Sequence, residues 1–228
     1  MIRVTENLAL IKDLLATAAI EARRDPNTVK LLAVSKKQPL ERLLAAAAGG
    51  QRDFGENTVQ EGLDKIRATA EARLTWHFIG HLQSNKTRVV AENFDWVHTI
   101  DKPKLAKRLS DQRPSELGPL NVCIQVNIDD EASKSGVSVD RLAELAADCA
   151  ALPGIRLRGL MCLPAIREGF AAQREPFARL RKLYDELRRD GGLPLDTLSM
   201  GMSGDYRAAI VEGATIVRIG TALFGERS

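Results

Sequence analysis

Residues 29–34 read Val29-Lys30-Leu31-Leu32-Ala33-Val34, a short run dominated by branched apolar side chains. A run of this length and composition predicts a buried β-strand. Residues 40–48 follow with good helix formers, and two glycines at positions 49 and 50 stop the helix after them. A strand followed by a helix is the repeating unit of parallel sheets that are covered by helices.

The same unit recurs along the chain about every 25 to 30 residues. Seven further strands are predicted at residues 53–54, 74–79, 95–99, 121–128, 156–161, 197–200 and 215–219. The helices between them are predicted at residues 58–70, 85–93, 102–112, 139–151, 172–189 and 204–211, and an extra helix at 8–22 precedes the first strand. This order predicts one domain, residues 1–228, folded as a (β/α)8 TIM-type barrel with an extra N-terminal helix. An open doubly wound sheet is the alternative.

The composition argues against several classes of partner. Lys and Arg outnumber Asp and Glu by 33 to 30, and this dispersed excess makes no basic surface for nucleic acid. The longest apolar run, residues 43–48, is too short to span a bilayer, and the N-terminus lacks the apolar core of a signal peptide. Three widely spaced cysteines in apolar surroundings indicate core residues in a reducing compartment, with a catalytic thiol as the alternative. The sequence therefore predicts a soluble, cytoplasmic protein.

One lysine follows the first predicted strand, at a point where βα barrels collect their functional groups. If Leu32 and Val34 face the barrel interior, alternation turns Lys36 inward and Lys37 outward. Desolvation lowers the pKa of a lysine, and the neutral amine attacks an aldehyde to form a Schiff base. The alternative is that Lys36 extends to the barrel mouth and pairs with a carboxylate.

Two turns rich in small residues follow the last two strands. Ser203 and Gly204 lie before the predicted helix at 204–211, and Ser203 is a natural N-cap. Gly220 and Thr221 follow the eighth strand in the same way. TIM barrels commonly bind phosphate in the loops after strands seven and eight, on free amides at helix starts. The four residues therefore predict a phosphate cup, and two ordinary capped turns are the alternative.

Other strand ends also carry polar side chains. Asn57 can either cap the following helix or contact a ligand. His77 and His81 are four residues apart, which is the spacing of a metal-binding pair on a helix. That segment begins as a strand, Gly80 interrupts any helix, and no third ligand is evident, so the sequence favours no metal site.

Taken together, these segments resemble the pyridoxal phosphate homeostasis protein family. The resemblance extends over essentially the whole chain and follows the family's order. The matching segments are Leu32 to Lys36, Phe54 to Asn57, Val59 to Glu61, His77 to Lys86, Ser133 to Gly136, Arg158 to Met161, Leu198 to Asp205 and Val217 to Thr221. Thr58 departs from the tyrosine expected between Asn57 and Val59, which affects packing there but not Lys36.

The resemblance implies a fold-type III barrel that binds pyridoxal 5′-phosphate (PLP), related to the N-terminal domain of bacterial alanine racemases. It assigns the Schiff-base lysine to Lys36 and places the phosphate near Ser203, Gly220 and Thr221. It also sets Arg218 beside the pyridine nitrogen, where a permanent positive charge disfavours ring protonation and weakens the ring as an electron sink. With the residues inferred from position, the predicted cofactor-binding set is Lys36, Asn57, Ser203, Gly204, Arg218, Gly220 and Thr221.

Two functions fit such a barrel: a protein that holds, buffers or delivers PLP, and an amino-acid racemase or decarboxylase. A two-base racemase needs a proton acceptor on each face of the substrate carbon, and neither Tyr184 nor Tyr206 is an obvious one. The sequence ends at Ser228, and no second domain is expected to supply it. A PLP carrier without dedicated turnover is therefore favoured, and a phosphate-sugar enzyme that uses Lys36 on a carbonyl substrate is a third alternative.

The expected partners of such a carrier are PLP itself and PLP-dependent apoenzymes, with no nucleic acid and no membrane. The absence of a tyrosine supplied by a second subunit favours a monomer. Lys134 is either a second anion contact or an ordinary loop cation.

Overall fold

The computed structural model describes residues 3–131 and 135–225 and shows a closed barrel of eight parallel strands. Neighbours in sequence are neighbours in the barrel, and the eighth strand closes onto the first. The strands are β1 (Lys30–Val34), β2 (Asp53–Glu56), β3 (Thr75–Phe78), β4 (Trp96–Ile100), β5 (Leu120–Gln125), β6 (Ile155–Met161), β7 (Thr197–Ser199) and β8 (Ile216–Ile219). The barrel prediction is confirmed, and the open doubly wound sheet is excluded.

One helix precedes the barrel, and within the described ranges each strand is followed by an α-helix. The helices are α1 (Val4–Glu21), α2 (Leu40–Ala48), α3 (Val59–Ala68), α4 (Thr87–Asn93), α5 (Pro103–Gln112), α6 (Leu142–Ala150), α7 (Phe170–Arg189), α8 (Tyr206–Val211) and α9 (Thr221–Phe224). The extra helix α1 packs on α2, α8 and α9, so it covers the seam where β8 meets β1. None of the helices in the described ranges is long and apolar enough to cross a bilayer.

The start of α8 differs from the prediction and corrects the role of one residue. The helix begins at Tyr206, and its N-cap is Asp205 rather than Ser203. The Asp205 carboxylate accepts a hydrogen bond from the Met202 amide, with 2.6 Å between Oδ1 and N. Because a charged carboxylate is the stronger acceptor, Asp205 closes the turn, and Ser203 is left exposed at its rim.

Apolar side chains pack mainly between the outer face of the strands and the helices. The largest fully buried members of this layer are Phe54, Phe78, Phe94, Phe177 and Phe224. Burying a side chain of this size contributes about 1.5–3 kcal/mol. The Arg-rich helix α7 follows its predicted pattern: it buries Phe177 and Tyr184, and the Tyr184 hydroxyl donates to the Leu195 carbonyl at 2.8 Å.

The inward face of the barrel is more mixed. Two small apolar clusters lie apart from the outer layer, one of Leu32, Ile79 and Ile216, and one of Trp96, Cys123 and Met161. Buried polar side chains also face inward, namely His77, His98, Ser199 and Arg218. Burying polar groups requires hydrogen-bond partners, so these four side chains define a structured polar region inside the barrel.

Candidate functional site

A cavity of about 310 Å³ opens where the strands of the barrel end. All seven residues of the predicted cofactor-binding set line it, although they come from four different strand ends. The rest of its wall is apolar and was not predicted: Val34, Ile79, Met161, Leu163 and Met202. Convergent polar groups in an otherwise apolar cavity are typical of a small-molecule site.

Lys36 reaches the cavity from a turn and not from the strand itself. β1 ends at Val34, Ser35 is fully buried, and Lys36 is half-buried in the cavity wall. Lys37 is exposed and has a φ of 55°, a left-handed conformation that is uncommon for a residue with a side chain. The turn therefore needs support from its surroundings to keep this shape.

That support comes from a group that we call the lysine clamp, made of the buried Glu56 and Lys65 and the half-buried Glu61. The Lys65 ammonium donates to the Ser35 carbonyl at 2.6 Å, to Glu56 Oε1 at 2.8 Å and to Glu61 Oε1 at 2.7 Å. Ser35 Oγ donates to Glu56 Oε1 at 2.6 Å, and the Lys37 amide donates to Glu61 Oε1 at 2.6 Å. The clamp thus holds the backbone on both sides of Lys36.

Glu56 is the most deeply placed member of the clamp. Its side chain is fully buried, and its Oε2 atom has no hydrogen-bond partner among the described residues. Burial raises the pKa of Glu56, and the hydrogen bonds from Lys65 and Ser35 oppose that rise. The carboxylate therefore depends on Lys65 for its charge.

The two turns after β7 and β8 present backbone to the cavity. A Cβ at Gly220 would lie 3.1 Å from the Val34 carbonyl oxygen, so any residue but glycine would require the backbone of β1 to shift by a few tenths of an ångström. The amides of Ser203, Gly204, Gly220 and Thr221 donate to no acceptor in the described parts of the chain. Unpartnered amides on two adjoining turns suit an anion such as a phosphate.

Arg218 lies at the inner end of the cavity and is 5% exposed. Its Nη1 donates to the carbonyl and the hydroxyl of Ser199, both at 2.7 Å, and its Nη2 donates to the Cys162 carbonyl at 2.8 Å. Burial lowers the pKa of Arg218, yet a guanidinium stays charged in proteins. No carboxylate among the described residues forms an ion pair with it, so a ligand that accepts hydrogen bonds or carries negative charge would be favoured here.

Two roles were open for Asn57, a cap of the following helix or a ligand contact, and the structure does not place it as the cap. The N-cap of α3 is Thr58, and Asn57 instead lines the cavity, with an Oδ1 atom that is buried and has no partner in the described residues. A Cβ at Gly80 would lie 1.8 Å from the Asn57 carbonyl, so only glycine at position 80 allows this close packing. The orphaned amide oxygen makes Asn57 available to a ligand.

The two histidines considered as a metal pair are not brought together. His77 is buried inside the barrel between Asp53 and His98, whereas His81 is exposed. The described residues contain no cluster of three or more His, Cys, Asp or Glu side chains that could hold a metal ion. His98 and Ser199 join His77 inside the barrel, and neither was singled out from the sequence. Alternation along β4 and β7 could have predicted that both side chains face inward, but no local motif marks them as functional.

The three cysteines are buried and form no disulfide, as their apolar surroundings predicted. Burial raises the pKa of the Cys149 and Cys162 thiols to about 12 and raises that of Cys123 as well. A thiol in this state is not a nucleophile, which removes the catalytic-thiol alternative. Lys134, the candidate second anion contact, and Ser133 lie outside the described residues.

A lysine, a buried arginine and two turns with unpartnered amides thus meet at one cavity of a closed barrel. Residues 13–228 match the family described as "Alanine racemase, N-terminal domain". A "Pyridoxal phosphate homeostasis protein" from Pseudomonas aeruginosa is 56% identical over 227 residues, which cover 100% of this chain and 97% of the relative. The chain belongs to the pyridoxal phosphate homeostasis protein family, and the resemblance drawn from its motifs is confirmed.

Two further relatives agree with this assignment. The protein of the same description from Escherichia coli K12 is 52% identical over 234 residues, covering 98% of this chain and 97% of the relative. The structure of PipY from Synechococcus elongatus, determined with PLP bound, superposes with a TM-score of 0.84 at 36% identity and covers 97% of this chain and 100% of PipY. The barrel is therefore shared with PipY over 97% of this chain.

Proposed function

We propose that this protein binds PLP in the cavity at the strand ends and holds, buffers or delivers it, with Lys36 as the point of covalent attachment. The observation that carries the proposal is the meeting of Lys36, Arg218 and the two glycine turns on one cavity of about 310 Å³. The name of the Pseudomonas aeruginosa relative and the PLP bound in PipY support the same cofactor.

The residues of the cavity fit the parts of this cofactor. The unpartnered amides of the two turns, with the Ser203 and Thr221 hydroxyls, would bind the phosphate. The Lys36 amine would form a Schiff base with the aldehyde, and the orphaned Asn57 Oδ1 would accept a hydrogen bond from the ligand. When bound, PLP supplies a reactive aldehyde and a ring that can accept electrons.

Arg218 would face the pyridine nitrogen and limit what the ring can do. A guanidinium only donates hydrogen bonds, so the ring nitrogen beside it would accept one and stay unprotonated. An unprotonated ring is a weak electron sink for carbanions. Arg218 therefore favours holding the cofactor over using it.

The described part of the cavity wall lacks a second group for acid–base chemistry. Among its described residues, the only side chains that ionise are Lys36 and Arg218. Tyr184 lies on the buried face of α7 and donates its hydroxyl to the Leu195 carbonyl, and Tyr206 does not line the cavity. Because a racemase needs a proton acceptor on each face of the substrate carbon, we infer that this chain has no dedicated catalytic turnover.

Purified protein loaded with PLP should therefore turn over no amino acid at an enzymatic rate. The measurement is an incubation with a panel of L- and D-amino acids, followed by chiral chromatography for racemisation and by detection of released CO2 for decarboxylation. Turnover of around 1–10³ per second is ordinary for enzymes. A rate in that range that disappears in the Lys36→Ala variant would contradict the carrier function.

The double variant Ser203→Ala/Thr221→Ala should bind PLP more weakly while Lys36 remains reactive. Two hydroxyls at the rim of the proposed phosphate cup are lost, and we expect the dissociation constant for PLP to rise by about tenfold. Equilibrium dialysis gives the affinity, and borohydride trapping at saturating PLP reports on Lys36. Ser115→Ala, an exposed serine away from the cavity, is the matched control. Unchanged affinity in the double variant would remove the phosphate cup.

PLP-dependent apoenzymes are the proposed recipients, and the protein is proposed to act as a cytoplasmic, single-domain monomer. A cavity that opens at the barrel mouth allows the cofactor to leave without unfolding of the described barrel. The cavity wall also needs no side chain from another subunit to bring its polar residues together.

A further inference from the structure

A continuous row of hydrogen bonds runs through the inside of the barrel, and we call it the interior line. Arg218 Nη1 lies 2.7 Å from Ser199 Oγ, which lies 2.8 Å from His98 Nδ1. His98 Nε2 lies 2.9 Å from His77 Nδ1, and His77 Nε2 lies 3.0 Å from Asp53 Oδ1. The line therefore joins the arginine of the cavity to a carboxylate at the start of β2.

The interior line connects the two ends of the barrel. Ser199 ends β7 and Arg218 lies in β8 at the cavity, whereas Asp53 is the first residue of β2 and lies at the opposite mouth. The contact between His98 and Ser199 crosses the interior from β4 to β7. His77, His98 and Ser199 are 0% exposed, so no solvent replaces these contacts.

Both ends of the line have a fixed role. Arg218 has only donors, so Ser199 Oγ must accept its hydrogen bond. Asp53 at the other end is held ionised: burial opposes this, but hydrogen bonds from His77 and Lys30 outweigh it and lower the pKa of Asp53. An ionised carboxylate has only acceptors, so His77 Nε2 must donate to it.

The two ends together determine every proton between them. Both rings are fully buried, and burial lowers the pKa of His77 and of His98, which favours the neutral form with one N–H on each ring. Since His77 uses its N–H on Asp53, its Nδ1 accepts from His98 Nε2, and His98 Nδ1 in turn accepts the Ser199 hydroxyl hydrogen. All donors point toward Asp53, and both histidines are the Nε2–H tautomer.

We propose that Asp53, His77 and His98 are positioning residues for Arg218, and that they act by holding the Ser199 hydroxyl oxygen as an acceptor for the guanidinium. In the reverse direction the Ser199 oxygen would have to accept from both Arg218 and His98, and no other contact of Ser199 Oγ among the described residues offers an acceptor for its hydrogen. The proposal rests on the proposed function in that Arg218 faces the bound cofactor. A charge at one mouth of the barrel then determines cofactor affinity at the other.

The direction of the line can be measured in the protein without PLP. Nitrogen-15 NMR of histidine-labelled protein separates protonated from unprotonated ring nitrogens, and exposed His81 is the internal reference. We expect Nε2–H with unprotonated Nδ1 for both His77 and His98. In Asp53→Asn the side chain can accept or donate, so a share of the Nδ1–H tautomer should appear at His77. Lys30→Gln is the control, because it removes the 2.9 Å ion pair with Asp53 but leaves the carboxylate.

Cofactor affinity provides the second arm of the test. Asp53→Asn should raise the dissociation constant for PLP about tenfold, which equals about 1.4 kcal/mol, and Lys30→Gln should change it by less than about twofold. If Asp53→Asn fails to fold, Ser199→Ala breaks the line beside Arg218 instead and should give the same loss. Circular dichroism checks that each variant is folded.

Three results would overturn the proposal. They are an Nδ1–H tautomer at His77 or His98 in the unmodified protein, an Asp53→Asn variant with changed affinity but unchanged tautomers, and an Asp53→Asn or Ser199→Ala variant with unchanged affinity. If the unmodified protein takes up no PLP at all, the proposed function fails, and the tautomers still decide whether the line has the stated direction.

Discussion

Replacing Lys36 with alanine should abolish covalent attachment of PLP and leave the fold intact. The lysine is half-buried in a turn at the cavity, and its side chain is not part of the apolar core, so its loss should change the free energy of unfolding by about 0.5 kcal/mol or less. Borohydride reduction of PLP-loaded protein, followed by peptide mass spectrometry, should find the adduct on the peptide that contains Lys36. The variant should give no adduct and should lack the absorbance of the internal aldimine.

Lys37→Ala is the matched control for this experiment. Lys37 is the next residue, is exposed, and contributes its backbone amide, not its side chain, to the lysine clamp. Its replacement should leave the adduct in place. An adduct on any other lysine of the unmodified protein, or an adduct that persists in Lys36→Ala, would contradict the assignment.

The barrel was predictable because each of its elements is encoded by a local pattern. The run at residues 29–34 and the helix at 40–48 predicted β1 and α2 within one residue of their bounds, Lys30–Val34 and Leu40–Ala48. Closure followed from counting such units, and the position of Lys36 followed from where the first strand ends. These inferences need only the period of apolar side chains and the residues that stop an element.

The contacts that shape the site were not predictable from local pattern, because they join distant residues. Lys65 reads as a polar residue of α3, yet it is buried against Glu56 and the turn that carries Lys36. His98 and Ser199 are 101 residues apart and meet only because β4 and β7 face each other across the barrel. Such pairs depend on the register and closure of the sheet, which the sequence does not state residue by residue.

Local pattern did not settle which residues cap α3 and α8. Ser203 was predicted as an N-cap and Asn57 was open to capping or to ligand contact, because both are residue types that cap helices. The first turn of each helix is fixed by how the chain leaves the barrel, which makes Asp205 and Thr58 the N-caps. Ser203 and Asn57 are thereby left at the cavity, where their polar groups are available to a ligand.

Lys65→Met should cause the largest loss of stability of any substitution proposed here. The methionine keeps most of the buried length of the side chain but removes three hydrogen bonds donated by the ammonium. Glu56 is then left as a buried carboxylate without its cation, and removing one partner of such a pair typically costs about 3–5 kcal/mol. Urea unfolding gives the free energy of unfolding. We also expect the variant to bind PLP less tightly, because the clamp holds the turn that carries Lys36.

Two comparisons separate this effect from an ordinary loss of a surface charge. Lys107→Met removes an exposed ion pair of α5, Lys107 with Asp111 at 2.8 Å, and should cost about 0–1 kcal/mol. The double variant Glu56→Gln/Lys65→Met has no buried charge to compensate, so it should be more stable than Lys65→Met alone. Equal losses of unfolding free energy in Lys65→Met and Lys107→Met would contradict a structural role for the clamp.

The pH dependence of Lys65→Met should identify Glu56 as the source of the loss. Burial already raises the pKa of Glu56 in the folded protein, and without the hydrogen bond from Lys65 that pKa should rise further. A carboxyl whose pKa is higher in the folded state binds more protons there than in the unfolded chain, where it titrates at about 4.3. The stability of the variant must therefore fall as the pH rises from the unfolded value through the folded pKa, and acidification from about pH 8 to about pH 5 should recover part of the loss. The double variant Glu56→Gln/Lys65→Met has no such carboxyl group, so acidification should not reduce its loss of unfolding free energy relative to the unmodified protein. If the loss of unfolding free energy in Lys65→Met is the same at both pH values, the clamp acts through packing and not through the charge of Glu56.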